Sequence, residues 1–216
     1  MLRPADSRPA GSLRDSPRSS KGELTRATIV DAALEIAAQE GLEGLTIGVI
    51  ADRLGMSKSG VFSHFGAREE LQIAALREYH RRFEAAVFKP ALARPRGLPR
   101  LEAMIGNWIE LVRAVEIPNG CIYVSSAVEF DDRPGPVRDA LVEMVSLWQR
   151  ALRRVIAQAV DEGHLQRDTD AAQLMFEIHG LMLALHHDAR LMRARGVVPR
   201  ARRAFERLID SARPHP

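Results

Sequence analysis

The chain has 216 residues, 46% of them hydrophobic and only 5% aromatic, with a formal net charge of +3. That length buries a substantial core in one large or two small domains, and no stretch approaches the 18 apolar residues of a membrane span. The first residues carry Pro, Ser, Arg and Asp instead of the apolar run of a signal peptide, and Cys121, the single cysteine, makes no internal disulfide. A cytoplasmic protein without a membrane partner is therefore expected. Ala, Leu, Arg and Glu dominate while β-branched residues rarely cluster, which favours an all-α fold.

Residues 1–22 hold Pro4, Pro9, Pro17, Gly11 and Gly22 and show no apolar periodicity, as expected of a disordered tail. Arg3, Arg8, Arg14, Arg18 and Lys21 outnumber Asp6 and Asp15. That balance suits an arm lying along phosphates, or a segment that merely solubilises. From Thr25 the period becomes helical, with Ile29, Ala33, Ile36 and Ala37 recurring until Gly41. Thr46 is a plausible N-cap for a short helix that turns Ile47, Ile50, Ala51 and Leu54 inward, and Gly55 supplies the tight turn after it. Ser57 caps a third helix, in which Val61 and Phe65 face the core while Lys58, Ser59, Gly60 and Ser63 face outward.

A connecting helix should run over about 68–89 and stop at Pro90. In the remainder, 90–216, Pro99 suits a first turn, Pro118-Asn119-Gly120 is a break, and a short helix runs from Cys121 to about Phe130. After the rigid loop at 131–136, a long helix extends from Pro136 to Gly163. Another, capped by Asp168 or Thr169, reaches about Arg193, and a last one follows Pro199 as far as Ser211. The expectation is about nine helices: a head at 23–68, its connecting helix, and a helical body.

Two short helices joined by Gly55-Met56, the second with a small polar outer face, form the unit whose recognition helix enters a DNA major groove. Ser59 and Gly60 keep that face low enough for the backbone to approach base edges. Lys58 and Ser63 flank them with hydrogen-bond donors for bases or phosphates. Double-stranded DNA is the partner this head implies.

The segments Thr46 to Ala51, Leu54 to Phe65 (LGMSKSGVFSHF) and Arg68 to Leu71 resemble the signature of the TetR family of transcriptional regulators, densely over about 47 residues. The resemblance implies that Thr46, Ser57, Phe62, His64 and Arg68 occupy phosphate-contacting positions, and that Lys58, Ser59, Gly60 and Ser63 lie where bases are read. It also implies a divergent all-helical body that takes a small-molecule effector and releases DNA. Three positions depart from the pattern: Phe62 stands where a Tyr phenol usually donates to a phosphate, Gly48 replaces an often basic residue, and Ala67 replaces the usual Ser or Thr cap. Between Glu23 and Arg68 the basic residues Arg26, Arg53, Lys58 and Arg68 are outnumbered by Glu23, Asp31, Glu35, Glu40, Glu43 and Asp52, so the head is not net basic.

One head reads too few base pairs for specificity, so pairing on two half-sites about 34–36 Å apart, or a multiple, is expected. Leu174, Ile178, Leu181 and Leu185, with the small Gly180 and Ala184, form one stripe, and Phe205, Leu208 and Ile209 another. These stripes face either a second copy, as a homodimer interface, or the subunit's own core. Met104, Trp108, Tyr123, Phe130, Trp148, Met175, Phe176, His179 and Met182 mix aromatic and flexible apolar groups that suit an effector pocket or an ordinary core.

No metal site or cofactor is expected. His179 and His186 lie seven residues apart, about 10.5 Å along one helix, and His186 and His187 point about 100° apart, so one ion needs help from elsewhere. His164 and Cys121 complete the set without a recognisable spacing. No nucleophile–base pair or phosphate-cradling glycine loop points to an enzyme. A protein-binding scaffold that retains a weak DNA-binding head remains the alternative.

Overall fold

The computed structural model describes residues 21–214 and is all-helical across them. The expected tail therefore lies outside the described residues, apart from Lys21 and Gly22, which begin the first helix. Helix α1 (Lys21–Gly44) starts a turn earlier than its apolar period suggests, and the hydroxyls of Thr25 and Thr28 donate to the carbonyls of Lys21 and Leu24. Its buried face is Ile29, Val30, Ala33, Ile36 and Ala37. The helix kinks at Gly41, whose φ of 80° and ψ of 170° belong to a region essentially reserved for glycine.

Helices α2 (Ile47–Leu54) and α3 (Lys58–Phe65) begin at the caps expected of them: Thr46 Oγ1 accepts the N–H of Val49 at 3.1 Å, and Ser57 Oγ accepts that of Gly60 at 3.0 Å. Gly55, at φ 63°, turns the chain between them. Helix α4 (Arg68–Phe83) follows, with Ala67 at its N-cap offering no side-chain bond.

Pro90 does not stop this helix. The chain widens into a π-type turn over Glu84–Phe88 and continues helically through Lys89–Ala91. Helix α5 (Leu98–Leu111) repeats the device, widening over Val112–Glu116 ahead of Pro118 and ending at Gly120. A proline donates no hydrogen bond to the carbonyl four residues back and clashes with it, and the extra residue in the wide turn accommodates that carbonyl. The body is completed by α6 (Ile122–Phe130), α7 (Pro136–Asp161), α8 (Ala171–His186), which ends in a third wide turn at His187–Leu191, and α9 (Val197–Ala212). Asp170, not Asp168 or Thr169, caps α8 by accepting from Ala172 N and Gln173 N.

That makes nine helices among the described residues. α1 packs on α4 and α6, α4 and α5 on α7, and α8 on both α7 and α9, so one apolar core runs from Ile29 in the head to Ile209 in the last helix. None of these helices is long and apolar enough to cross a membrane.

The two leucine-rich stripes are corrected by this packing. Leu174, Ile178, Leu185, Phe205 and Ile209 are buried inside one subunit, and Leu181 and Leu208 are half-buried against the same core. They are the faces that α8 and α9 turn to each other and to their neighbours. What α8 leaves outward is Phe176, 68% exposed, and Leu183, 43% exposed, together with the small Gly180 and Ala184.

Candidate nucleic-acid interface and effector cavity

On α3, Val61 and Phe65 anchor the helix in the core while Lys58, Ser59, Phe62 and Ser63 stand exposed on the other side. Ser57 Oγ and Ser59 Oγ lie 3.1 Å apart, and Ser63 Oγ donates to Gly60 O at 2.7 Å, so the hydroxyls are held close to the helix surface. A β-carbon on Gly60 would meet Ser57 Oγ at 3.1 Å, which makes a glycine part of the cap's geometry. Phe62 is the large apolar group on this face, 54% exposed. Gly48, unlike Gly60, has no such requirement: a β-carbon there would stand in ordinary contact, 3.5 Å from Lys58 Cε, since the lysine lies back across the first turn of α2. His64 is half-buried, its ring tilted against Phe65, over which the Arg26 guanidinium also lies.

Arg68 differs from the expectation of a free phosphate contact. Its Nε donates to Leu45 O at 3.1 Å and its Nη2 to Glu43 O at 2.5 Å, with the Glu43 carboxylate 3.4 Å away. The side chain braces the start of α4 against the α1–α2 connection. The reason is the kink at Gly41, which leaves carbonyls at the end of α1 without helical partners and in need of donors.

The same kink frees backbone donors, and these are taken by the body. Glu129, near the end of α6, accepts the N–H of Leu42 at 2.8 Å and that of Glu43 at 3.2 Å. A β-carbon on Gly41 would fall 1.6 Å from Glu129 Oε1. Gly120 makes a second close approach, since a β-carbon there would lie 1.9 Å from Ala38 O on α1. Arg133, in the loop beyond α6, pairs with the other side of the Glu43 carboxylate at 3.2 Å.

Helix α6 also forms one wall of a partly open, almost wholly apolar cavity of about 280 Å³. Of the residues expected there, Trp108, Tyr123, Trp148, His179 and Met182 do line it, joined by Phe83, Val124, Ala127, Val128, Val145 and Leu183. Four of the expected residues do not. Met104 and Phe130 fill other parts of the core, Met175 is half-buried against it, and Phe176 faces outward. Trp108 and Trp148 meet edge to face with centroids 5.0 Å apart, and the His179 ring meets Trp148 in the same way at 4.9 Å. Burial pushes the His179 imidazole down, so it is neutral at neutral pH. The Trp148 indole N–H is buried without a protein acceptor. Wider grooves on the surface, such as the one of about 710 Å³ between α1 and α4, are lined largely by charged side chains.

At one end of the cavity sits a polar network that the sequence did not announce. Tyr79 O–H donates to Glu116 Oε1 at 2.5 Å and lies 3.4 Å from Cys121 Sγ, while His186 Nε2 approaches Glu116 Oε2 at 2.5 Å. His186 Nδ1 donates to Met182 O at 2.8 Å. Burial opposes charge on His186, but its interactions with Cys121 and Glu116 outweigh burial and push its pKa up to about 10, giving an imidazolium–carboxylate pair. Arg190 Nη1 donates to the carbonyls of Glu116 and Ile117, which fixes the wide turn carrying Glu116. Nearby, His80 Nδ1 and the Tyr123 hydroxyl share a hydrogen bond of 2.5 Å, and His80 Nε2 lies 3.5 Å from Glu84.

Comparison with known proteins agrees with this architecture. The profile described as "Bacterial regulatory proteins, tetR family" matches residues 29–75, and "Tetracyclin repressor-like, C-terminal domain" matches residues 97–205. The HTH-type transcriptional regulator SrpR of Pseudomonas putida is 25% identical over 171 residues, which is 79% of this chain and 77% of that protein. The HTH-type transcriptional repressor AcnR of Corynebacterium glutamicum is 27% identical over 158 residues, 71% of this chain and 73% of its own. Among solved structures, a TetR-family regulator from Cytophaga hutchinsonii superposes with a TM-score of 0.81 at 18% identity, covering 93% of this chain and 100% of that one, and so shares the fold. With a capped reading helix, a helical body behind it and both profiles matched, the chain belongs to the TetR family of helix-turn-helix transcriptional regulators.

Proposed function

We propose that the protein is a homodimeric repressor that holds two successive turns of a palindromic operator and lets go when a small apolar molecule enters the cavity. One observation carries the coupling. Tyr123, Val124, Ala127 and Val128 of α6 line the cavity, and Glu129 of the same helix holds the backbone of α1 at its kink. A ligand that repositions α6 therefore moves the end of the helix on which the reading head is built. It acts only if it binds the DNA-incompatible arrangement better than the other.

The cavity's chemistry indicates the effector class. A nearly apolar wall of aromatic rings with a neutral His179 and an unpartnered Trp148 N–H suits a compact, mainly hydrocarbon or aromatic molecule carrying one hydrogen-bond acceptor. The volume of about 280 Å³ falls just below the roughly 300–1,000 Å³ of ligand pockets, which limits the molecule to a small one.

DNA contacts are assigned to Thr46, Ser57, Lys58, Ser59, Gly60, Phe62, Ser63 and His64. Phe62 brings an exposed ring without a donor to a position assigned to the phosphates. The outward face of α8, with Phe176, Gly180, Leu183 and Ala184, is the surface for a second copy. Members of the family act as dimers, and the repressor reading is supported by the description of AcnR.

The test is a footprint on the DNA upstream of the protein's own gene, followed by addition of small aromatic and aliphatic carbonyl compounds. Two protected half-sites on one face of the duplex, lost on adding a compound that quenches Trp108 and Trp148 fluorescence, is the expected result. Salt-insensitive binding, or no protection at low ionic strength, contradicts the reading.

A further inference from the structure

The histidines along α8 cannot converge on one ion by themselves, but α8 meets two other elements at the end of the cavity. Glu116 from the wide turn after α5, Cys121 from the residue before α6, and His186 from the last residue of α8 place their ligand-capable atoms within 4.8 Å of one another. All three are buried, at 1%, 8% and 4% exposure, and all three line the cavity. We propose that Glu116 Oε2, Cys121 Sγ and His186 Nε2 form a binding site for one divalent transition-metal ion of the Zn²⁺ class, with the fourth position open to the cavity.

The orienting bonds favour this assignment. Tyr79 donates to Glu116 Oε1, which leaves Oε2 directed at the cluster, and His186 Nδ1–H donates to Met182 O, so an ion takes Nε2 by displacing the proton it shares with Glu116, and the Cys121 thiol proton leaves as well. Such partners on the non-coordinating atoms are the usual supports of carboxylate and histidine ligands. Arg190 steadies the backbone that carries Glu116. One carboxylate and one thiolate cancel a divalent charge, which lets the ion sit in an apolar surrounding. The sulfur and nitrogen donors select against Mg²⁺ and Ca²⁺.

Donor atoms around a tetrahedral ion lie roughly 3.3–3.8 Å apart. The carboxylate and imidazole, now 2.5 Å apart, must therefore splay by about an ångström to admit it. Three protein ligands and an open fourth position is the arrangement that accepts an outside donor atom. The inference stands whether or not the effector class above is right.

Tag-free, chelator-stripped full-length protein titrated with Co²⁺ tests it. Expected are saturation at one ion per chain, visible bands of a tetrahedral site and a near-ultraviolet thiolate-to-cobalt band, all displaced by Zn²⁺. Cys121 is the chain's single cysteine, so that thiolate band has no other source. It should vanish in Cys121→Ser, and Zn²⁺ binding should weaken by about tenfold or more in Glu116→Gln and His186→Gln. A wild-type protein with intact helical circular dichroism and no thiolate band overturns the proposal, even if no variant folds. Equal Zn²⁺ affinity in wild type and folded variants overturns it as well.

Discussion

The carboxylate of Glu129 accepts the backbone N–H of Leu42 at 2.8 Å, across 87 positions of sequence, and thereby ties the helix lining the cavity to the helix supporting the reading head. Removing it in Glu129→Ala leaves the freed donors of Leu42 and Glu43 to solvent and should cost about 1–3 kcal/mol in urea unfolding. Gly41→Ala should cost more, because it adds glycine-only backbone strain to a β-carbon 1.6 Å from the Glu129 carboxylate. The double variant should lose less than the sum of the two, since the clash goes with the carboxylate. Strict additivity would show that the two positions act independently.

Phe62→Tyr should strengthen operator binding without changing stability. The ring is more than half exposed, so a hydroxyl added at its tip meets solvent in the free protein and a phosphate in the complex. A gain of about 1 kcal/mol corresponds to roughly fivefold in dissociation constant. An unchanged affinity would place Phe62 away from the backbone of the DNA.

Arg68→Ala separates a brace from a phosphate contact. With its donors committed to Leu45 O and Glu43 O, its loss should lower the melting temperature and leave the slope of affinity against salt unchanged. A salt slope shallower by about one, with unchanged stability, would restore the phosphate role.

Phe176→Glu should yield a folded monomer in sedimentation, because the side chain is on the outer face of α8 and outside the core. Persistence of the dimer would move the interface to another face, such as the arginine-rich outer side of α9.

The sequence made the head legible almost residue by residue. Thr46 and Ser57 cap as their positions demand, Gly55 turns the chain, and Val61 and Phe65 face inward, because each depends on neighbours within four residues. The body was legible in its helix count and less so in its faces. A stripe such as Leu174, Ile178 and Leu185 reads the same whether it meets a second copy or the subunit's own α7 and α9. Only the packing shows that it is the inward face and that Phe176 is outward. Within the cavity, the aromatic residues were visible by type. Glu129, Glu116 and Arg190 were not, since each acts on a partner dozens of residues away and sits in no spacing that announces it. Pro90 was read as a stop because the wide turn that carries a helix past a proline has no signature in composition, whereas the break expected at Pro118-Asn119-Gly120 is where the helix ends.

Selection of bound sequences from a random DNA pool, carried out with wild type and Phe176→Glu side by side at moderate salt, bears most directly on the central claim that two heads read DNA together. Wild type should enrich a palindrome whose half-sites are centred about 34–36 Å apart, or a multiple of that, and the variant should enrich single half-sites weakly or not at all. No enrichment by the wild type, or the same unpaired site from both proteins, would contradict it.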